Sequence, residues 1–402
     1  MNVLKKIYCR AYQEGFRIAM PFLPYKRPVI LTDVTQIAGE LEKRELKKPM
    51  LVTDAGVMKA RLTDSLRFAA KARGLSLTVF DRAVANPTTD VIEEGVKVYK
   101  ENGCNALIGF GGGSPIDTAK AIGACIARPD RTIQQLMGNL KVHKRLPLLF
   151  AVPTTAGTGS EATLAAIVTD SRTHVKKCIN SFPLLPKYAV LDPRLTVTLP
   201  KHMTSTTGVD AMTHAIEAYI GQSTTRETRK EALEAVKLIF ENVEKAYNQG
   251  DDVTARGNML HAAYLAGDAF TKSYVGYVHA VAHSLGGAYN IPHGLANAVL
   301  LPIVLKEYGP CVYKKLRQLG DYAGITKPTD SDGAAAKAFI EAIEDLNRRM
   351  NIPAALSGIR EEDIPLLARN ADREANPLYP VPTLWDAARL ERIYHLVMER
   401  EA

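Results

Sequence analysis

The stretch "ALIGFGGGSPIDTAKAIGA", residues 106–124, decides how the first half of this chain is read. It passes from an apolar, strand-like run through Gly111, Gly112, Gly113 and Ser114 directly into a helical pattern. Pro115 falls at a first-turn position, where its missing N–H costs nothing. A strand that turns through glycines into a helix opens a βα unit. Glycines there let the backbone approach a ligand closely, and the free N–H groups and dipole of the helix start favour a phosphate. The loop is neither GxGxxG nor a Walker loop, whose lysine is absent, so a pyrophosphate site and a ligand-free glycine turn both fit the local pattern.

Working outward, four more β-rich runs alternate with helix-length segments: "MLVTD" (50–54), "LSLTVFD" (75–81), "LLFAVPT" (148–154) and "YAVLD" (188–192). Alternation of this kind implies a parallel α/β sheet. Between the last two lies "AIVTDSRTHVKKCI" (166–179), two β-like runs around a polar turn, which reads as a hairpin. After "LDPRLTVTLP" (191–200) the character changes, and from Met203 onward the pattern is helical, with Gly250 a natural stop. The expected organisation is a helical N-terminal extension over 1–24, a dinucleotide-binding α/β domain over 25–198 and an all-α metal-binding domain over 199–402.

Composition narrows the class. The chain has 402 residues, 46% of them hydrophobic, enough for a core in each of two domains. The formal charge is +8, but Lys and Arg are interleaved with Asp and Glu and no nucleic-acid motif stands out, so the charge reads as a solvated surface. Five scattered cysteines with no CxxC pair argue for reduced thiols in a cytoplasm. No apolar run approaches the roughly 18–20 residues that span a bilayer, and no secretory signal is expected. The opening "MNVLKKIYCRAYQEGF" places Val3, Leu4, Ile7, Tyr8, Ala11 and Tyr12 at helical spacing opposite Lys5, Lys6 and Arg10. That pattern suits a helix packed on its own domain or on a second subunit better than a membrane-surface helix.

Chemistry-bearing residues cluster in three places. Asp54, at the end of the first strand, can accept hydrogen bonds from a ribose diol and repel a 2′-phosphate, which selects NAD over NADP, although a lone Asp there also serves as an N-cap. "VPTTAGTGSEAT" (152–163) sets hydroxyls and glycines after another strand, as a cofactor loop or a polar turn into a helix. The third place holds histidines. In "GVDAMTHAIEAYI" (208–220), Asp210 and His214 are four apart on one helix face, and His279 and His283 repeat the spacing in "YVHAVAHSLGGAYNIPHG" (277–294), with His293 in the closing turn. One carboxylate with the three imidazoles of His214, His279 and His293 is a reasonable ligand set for Fe(II) or Zn(II). His283 then lies beside the metal as a candidate proton relay. His143, His174, His202, His261 and His395 lack such partners and read as structural.

These motifs resemble the iron-containing, or group III, alcohol dehydrogenases. The resemblance rests on "GGGSPIDTAK", "TTAGTGSEAT", "LDPRLTVTLP", "GVDAMTHAIEAYI" and "VHAVAHSLGGAYNIPHGLANAVLLP", in the family's order, and covers roughly residues 30–400. It implies an N-terminal dinucleotide domain and a C-terminal helical domain with the active site in the cleft between them, and metal ligands at Asp210, His214, His279 and His293. It further implies NAD contacts at Asp54, Asn86, Gly112, Gly113, Ser114, Asp117, Thr154, Thr155, Thr158 and Lys177, and a histidine beside the reacting carbon at His283. Phe270 and Ala165 match positions that line the substrate pocket, and a small Ala165 implies an apolar, roomier site than one built for a diol. Dimers, or larger homo-oligomers, are what the family suggests.

Three departures stand out. The residues before about Pro24 exceed the family's usual start, the segment after it, "PYKRPVILTD" (24–33), lacks the glycine usual there, and "LYPVPT" (378–383) follows Asn376 and Pro377 where the family usually has Arg. The expected activity is metal-dependent hydride transfer between NAD(H) and a short-chain alcohol or aldehyde. The rivals are a glycerol-dehydrogenase-like polyol oxidation, a hydroxyacid-oxoacid transhydrogenase and a non-catalytic binding protein; the intact ligand set argues against the last.

Overall fold

Six parallel strands form the larger sheet: β1 (Val29–Leu31), β2 (Pro49–Val52), β3 (Thr78–Phe80), β4 (Ala106–Gly111), β6 (Leu148–Pro153) and β9 (Tyr188–Val190). The remaining strands are β5 (Gly138–Asn139), β7 (Ala165–Thr169) and β8 (Lys176–Asn180). The computed structural model describes residues 1–173 and 175–399 and divides into two compact units, Pro24–Leu199 and Met1–Leu23 with Pro200–Ala402.

In the first unit the strand order is β1-β9-β6-β4-β2-β3. Both faces of this sheet are covered, so its central strands read as unbroken apolar runs. Successive side chains still alternate: Met50, Val52 and Leu107 join one hydrophobic cluster with Ile92 and Ile122, while Leu51, Ile108 and Phe110 join another with Ile37, Leu41 and Leu66. The chain runs outward from β2 to β3 and returns to the other side of β2 as β4, so a topological switch point lies between β2 and β4, where α/β sheets bind ligands at their carboxyl ends. The small second sheet, in the order β5-β8-β7, contains the expected hairpin, β7 and β8 pairing antiparallel from Ala165 opposite Asn180 to Thr169 opposite Lys176. β1 and β5 were not expected; at three and two residues they are too short to show a period.

The second unit is helical. Helices Lys201–Ile220, Arg226–Asn248 and Val253–Ser273 pack against one another, and Lys201–Ile220 is buried continuously from Gly208 to Ile220. A helix buried on every side gives its polar residues special meaning, because each must be paired or functional. The N-terminal helix Val3–Ala19, capped by Asn2, packs on this unit through Cys9, Gln13 and Phe16. Its outer face leaves Leu4, Ile7, Tyr8, Ile18 and, just beyond it, Phe22 exposed, up to 79% for Leu4 and 85% for Phe22. Among the described residues no helix is long and apolar enough to cross a membrane.

Candidate metal centre and dinucleotide turn

Asp210 and His214 sit one turn apart on the buried Lys201–Ile220 helix, His279 on helix Tyr277–Tyr289, and His293 begins helix His293–Tyr308. Asn290, in the left-handed region at φ 54°, ends the middle helix so that the chain reverses in time to place His293. One ligand atom from each of Asp210, His214, His279 and His293 lies within 4.8 Å of the others. Asp210 Oδ1 is 3.5 Å from His293 Nε2 and 3.9 Å from His279 Nε2.

The donor set fits a divalent cation. His279 Nδ1 donates to Glu217 Oε2 at 2.6 Å, which directs the lone pair of its other nitrogen into the cluster, and that buried Nε2 has no hydrogen-bond partner. His214 Nδ1 is likewise buried without one. Burial lowers the pKa of His214 and, together with the neighbouring imidazoles, that of His279 well below the usual value, so both are neutral and able to ligate. Phe270 stacks on the His214 ring at 4.2 Å and 15°, fixing its plane.

Glu217 is the residue that the sequence reading passed over. Burial pushes its carboxyl up to about 7, against N–H donors from Gly276 and Val278, each 2.8 Å away, and from His279. A Cβ at Gly276 would lie 2.7 Å from Glu217 Oε1, so a larger residue there would displace the carboxylate. The signal was present in the spacing: Asp210, His214 and Glu217 fall at i, i+4 and i+7 of one helix. Asn297 was also missed. One turn after His293, its Nδ2 lies 2.6 Å from Asp210 Oδ1 and 3.0 Å from His293 Nε2.

His283 stands one turn beyond His279, its ring stacked with that of His293 at 5.2 Å. Its Nδ1 is 2.6 Å from Glu374 Oε1, an oxygen that also accepts from the Tyr379 hydroxyl at 2.7 Å. His143, His202, His261 and His395 are exposed and outside the cluster, and His174 lies outside the described residues.

In the α/β unit, the three sequence motifs leave the ends of three adjacent strands, β2, β4 and β6. Asp54 caps helix Ala55–Lys59, accepting from Val57 N at 2.9 Å. Its Oδ2 also borders the glycine turn, 3.3 Å from where a Gly111 Cβ would be. Gly111 adopts φ 148°, open only to glycine, and Gly112 begins helix Gly113–Ala127 with no side-chain cap, leaving the first N–H groups for a ligand. The threonine loop lies against this turn: Thr154 N donates to Gly111 O at 2.9 Å, a Gly113 Cβ would come 3.0 Å from Thr158, and a Gly112 Cβ 3.6 Å from Thr155. Ser114, in the first turn, is half-buried. These are the features a pyrophosphate requires: bare backbone donors and no Cβ in the way.

Asp117, half-buried and expected among the cofactor contacts, accepts from Ser160 Oγ at 2.6 Å and Ile167 N at 2.9 Å and so also braces the loop. Beside it, fully buried Lys120, which sequence reasoning also missed, donates to the carbonyls of Ser160, Thr163 and Ala165 at 2.7–2.9 Å. Burial lowers its pKa to about 8. Asn86 holds the left-handed φ of 58° before Pro87, whose carbonyl accepts from Thr169 N at 2.7 Å. Lys177 is exposed on β8, and half-buried Ala165 starts β7.

A nucleotide-type switch point and a three-histidine, one-carboxylate cluster, buried except at His293, in one chain mark a metal- and nicotinamide-dependent oxidoreductase. Residues 31–193 match the family model "iron-containing alcohol dehydrogenase" and residues 204–398 match "Fe-containing alcohol dehydrogenase family, C-terminal". The chain belongs to the iron-containing alcohol dehydrogenase family. It is 36% identical over 375 residues to the NAD-dependent methanol dehydrogenase of Bacillus methanolicus, covering 92% of this chain and 98% of that protein. Identity to the 1,3-propanediol dehydrogenase of Citrobacter freundii is 37% over 334 residues, 82% of this chain and 86% of the relative. Among solved structures, a 1,3-propanediol oxidoreductase superposes with a TM-score of 0.89 at 34% identity, over 92% of this chain and 98% of its own. The chain is an NAD- and metal-dependent enzyme that interconverts alcohols and carbonyl compounds.

Proposed function

We propose that this enzyme interconverts a short-chain primary alcohol and its aldehyde, in either direction, with Fe(II) held by Asp210, His214, His279 and His293 and with NAD over Gly112, Gly113 and Ser114. The buried, unpartnered Nε2 of His279, aimed by Glu217, carries the reading of the metal site. A divalent ion there supplies the Lewis acidity that lowers the pKa of an alcohol hydroxyl, and NAD supplies the hydride acceptor. The chain's own groups do the rest. Glu217 fixes the tautomer of His279, and Phe270 holds His214 while offering an apolar face to an alkyl chain. His283, oriented by Glu374 and 35% exposed, passes the proton to solvent. Asp54 receives the adenosine ribose hydroxyls and Thr154, Thr155, Thr158, Asn86 and Lys177 complete the cofactor site, with Asp117 as its brace. Ala165 adds no polar group for a second hydroxyl.

The reading includes a homodimer or larger homo-oligomer in a cytoplasm. The outward face of the N-terminal helix, where Leu4, Ile7, Tyr8 and Ile18 are exposed, supports the first, because apolar residues grouped on one exposed face mark interaction surfaces. Five free cysteines support the second. Sedimentation of the intact protein tests the assembly.

The deciding experiment is metal analysis of protein purified without oxygen, paired with NADH oxidation on short aldehydes before and after chelation and readdition of Fe(II) or Zn(II). Activity that is lost with the metal, returns with one ion and prefers NADH supports the proposal. Turnover indifferent to chelation, or hydride exchange between substrates without net turnover of free NAD, sinks it.

A further inference from the structure

Residues 376–382, "NPLYPVP", follow helix Ile364–Ala375 without regular structure. Pro377, Pro380 and Pro382 have no N–H, so the segment is short of donors for its own carbonyls. Side chains elsewhere in the helical unit supply them. Gln13, 3% exposed on the N-terminal helix, donates through Nε2 to Tyr379 O at 2.7 Å and Pro377 O at 3.2 Å. Arg10 donates to Val381 O at 2.8 Å and Pro382 O at 3.0 Å, and through Nη1 to Gln13 Oε1 at 2.8 Å. Gln222 reaches Pro380 O through its backbone N–H and Pro382 O through Nε2.

The same helix reaches the other end of the metal-bearing region. Phe16 meets Tyr274 edge to face at 4.9 Å, and Tyr274 faces Tyr379 at 6.4 Å. Tyr274 holds φ 60° and ψ −179°, a region that glycine occupies and that a tyrosine keeps only when its neighbours over-determine it. It lies four residues past Phe270, to whose carbonyl its N–H donates at 2.7 Å, and two before Gly276, the Glu217 anchor. Tyr379 in turn holds the Glu374 oxygen that orients His283. Two of the departures from the family pattern, the added N-terminal residues and "LYPVPT", are therefore in direct contact with each other.

We infer that the N-terminal helix and residues 376–382 form one module that sets alcohol specificity, with Gln13 and Phe16 as its positioning residues. The inference rests on the metal-site reading above. Through the Tyr274 N–H on the Phe270 carbonyl the module sets the apolar ring that faces the alkyl part of an alcohol, and through the Tyr379 hydroxyl on Glu374 it sets the wall behind His283, while the Gln13 amide is engaged with backbone. The module therefore acts on a plain alkyl chain and discriminates by its length.

The test is steady-state kinetics of the intact, metal-loaded enzyme on linear alcohols from ethanol to hexanol, for Gln13→Ala, Phe16→Ala and Phe16→Tyr. Both alanine variants should raise the alcohol KM about ten-fold and move the preferred chain length, with kcat, the KM for NAD and metal content changing by no more than about two-fold. Phe16→Tyr, which keeps the edge contact, should retain the wild-type profile. Alanine variants with an unchanged alcohol KM and chain-length order, even at a lower Tm, would reduce the helix to a packing element and overturn the proposal. Should the alanine variants not fold, Gln13→Glu, which keeps the size and loses the donors, and Phe16→Leu replace them with the same expectations. Hydrogen exchange over residues 376–382 reads the brace without activity. Faster exchange in Gln13→Glu is expected, and unchanged protection rejects the module even if the wild type proves to have no metal-dependent turnover, the outcome that defeats the functional reading instead.

Discussion

The Glu217 carboxylate collects N–H groups from Gly276, Val278 and His279, and so leaves His279 one nitrogen to give to a metal. Glu217→Gln keeps the shape but replaces a carboxylate acceptor with an amide. Metal retention against a chelator should fall by about 10- to 100-fold in that variant while its circular dichroism stays that of the wild type. Asp54 makes the complementary case at the cofactor. One oxygen caps a helix and the other borders the glycine turn, so the bland and the functional readings of this residue are compatible. In Asp54→Ser the cap survives and the negative charge goes. The ratio of kcat/KM for NADPH to that for NADH should rise by at least about ten-fold, and an unchanged ratio would remove Asp54 from cofactor selection.

Between residues and the molecule stand the elements, and here the close approaches matter. Helix Gly113–Ala127 begins with unoccupied N–H groups because Gly112 offers no side-chain cap, and the threonine loop is set against it by Asp117 and Lys120. A Gly113→Val substitution puts carbon where Thr158 now sits at 3.0 Å from the nearest Cβ position. The KM for NAD should increase about ten-fold, with the alcohol KM and the metal content nearly unaffected. The metal-bearing helices meet as closely. A Cβ at Gly294 would lie 2.8 Å from the backbone oxygen of Thr206, so Gly294→Ala must part helix His293–Tyr308 from helix Lys201–Ile220. Overpacking of this kind costs about 1–3 kcal/mol, and thermal unfolding should show a Tm several degrees lower together with weakened metal retention.

At the scale of the whole molecule the metal is part of the helical unit's stability, since three imidazoles and a carboxylate converge only in the folded chain. Chelation should lower the Tm and readdition of Fe(II) restore it, in a manner dependent on metal concentration; a Tm indifferent to the ion would contradict the site. By itself the sequence determined a great deal: strand-like runs alternating with helices give the parallel sheet, and the i, i+4 spacing puts Asp210 beside His214 and His279 beside His283. These are local periodicities, and local periodicity is legible without a structure. It could not show that Asp117 reaches across to brace the threonine loop, that Lys120 joins it, or that Glu374 and Tyr379 stand behind His283, because those partners are separated by about 40 to 90 residues. The N-terminal helix makes the point most plainly. Its amphipathic spacing gave the helix, but only the tertiary fold decided that Gln13 and Arg10 would meet the proline-rich segment near the other end of the chain, where missing N–H groups left carbonyls in need of donors.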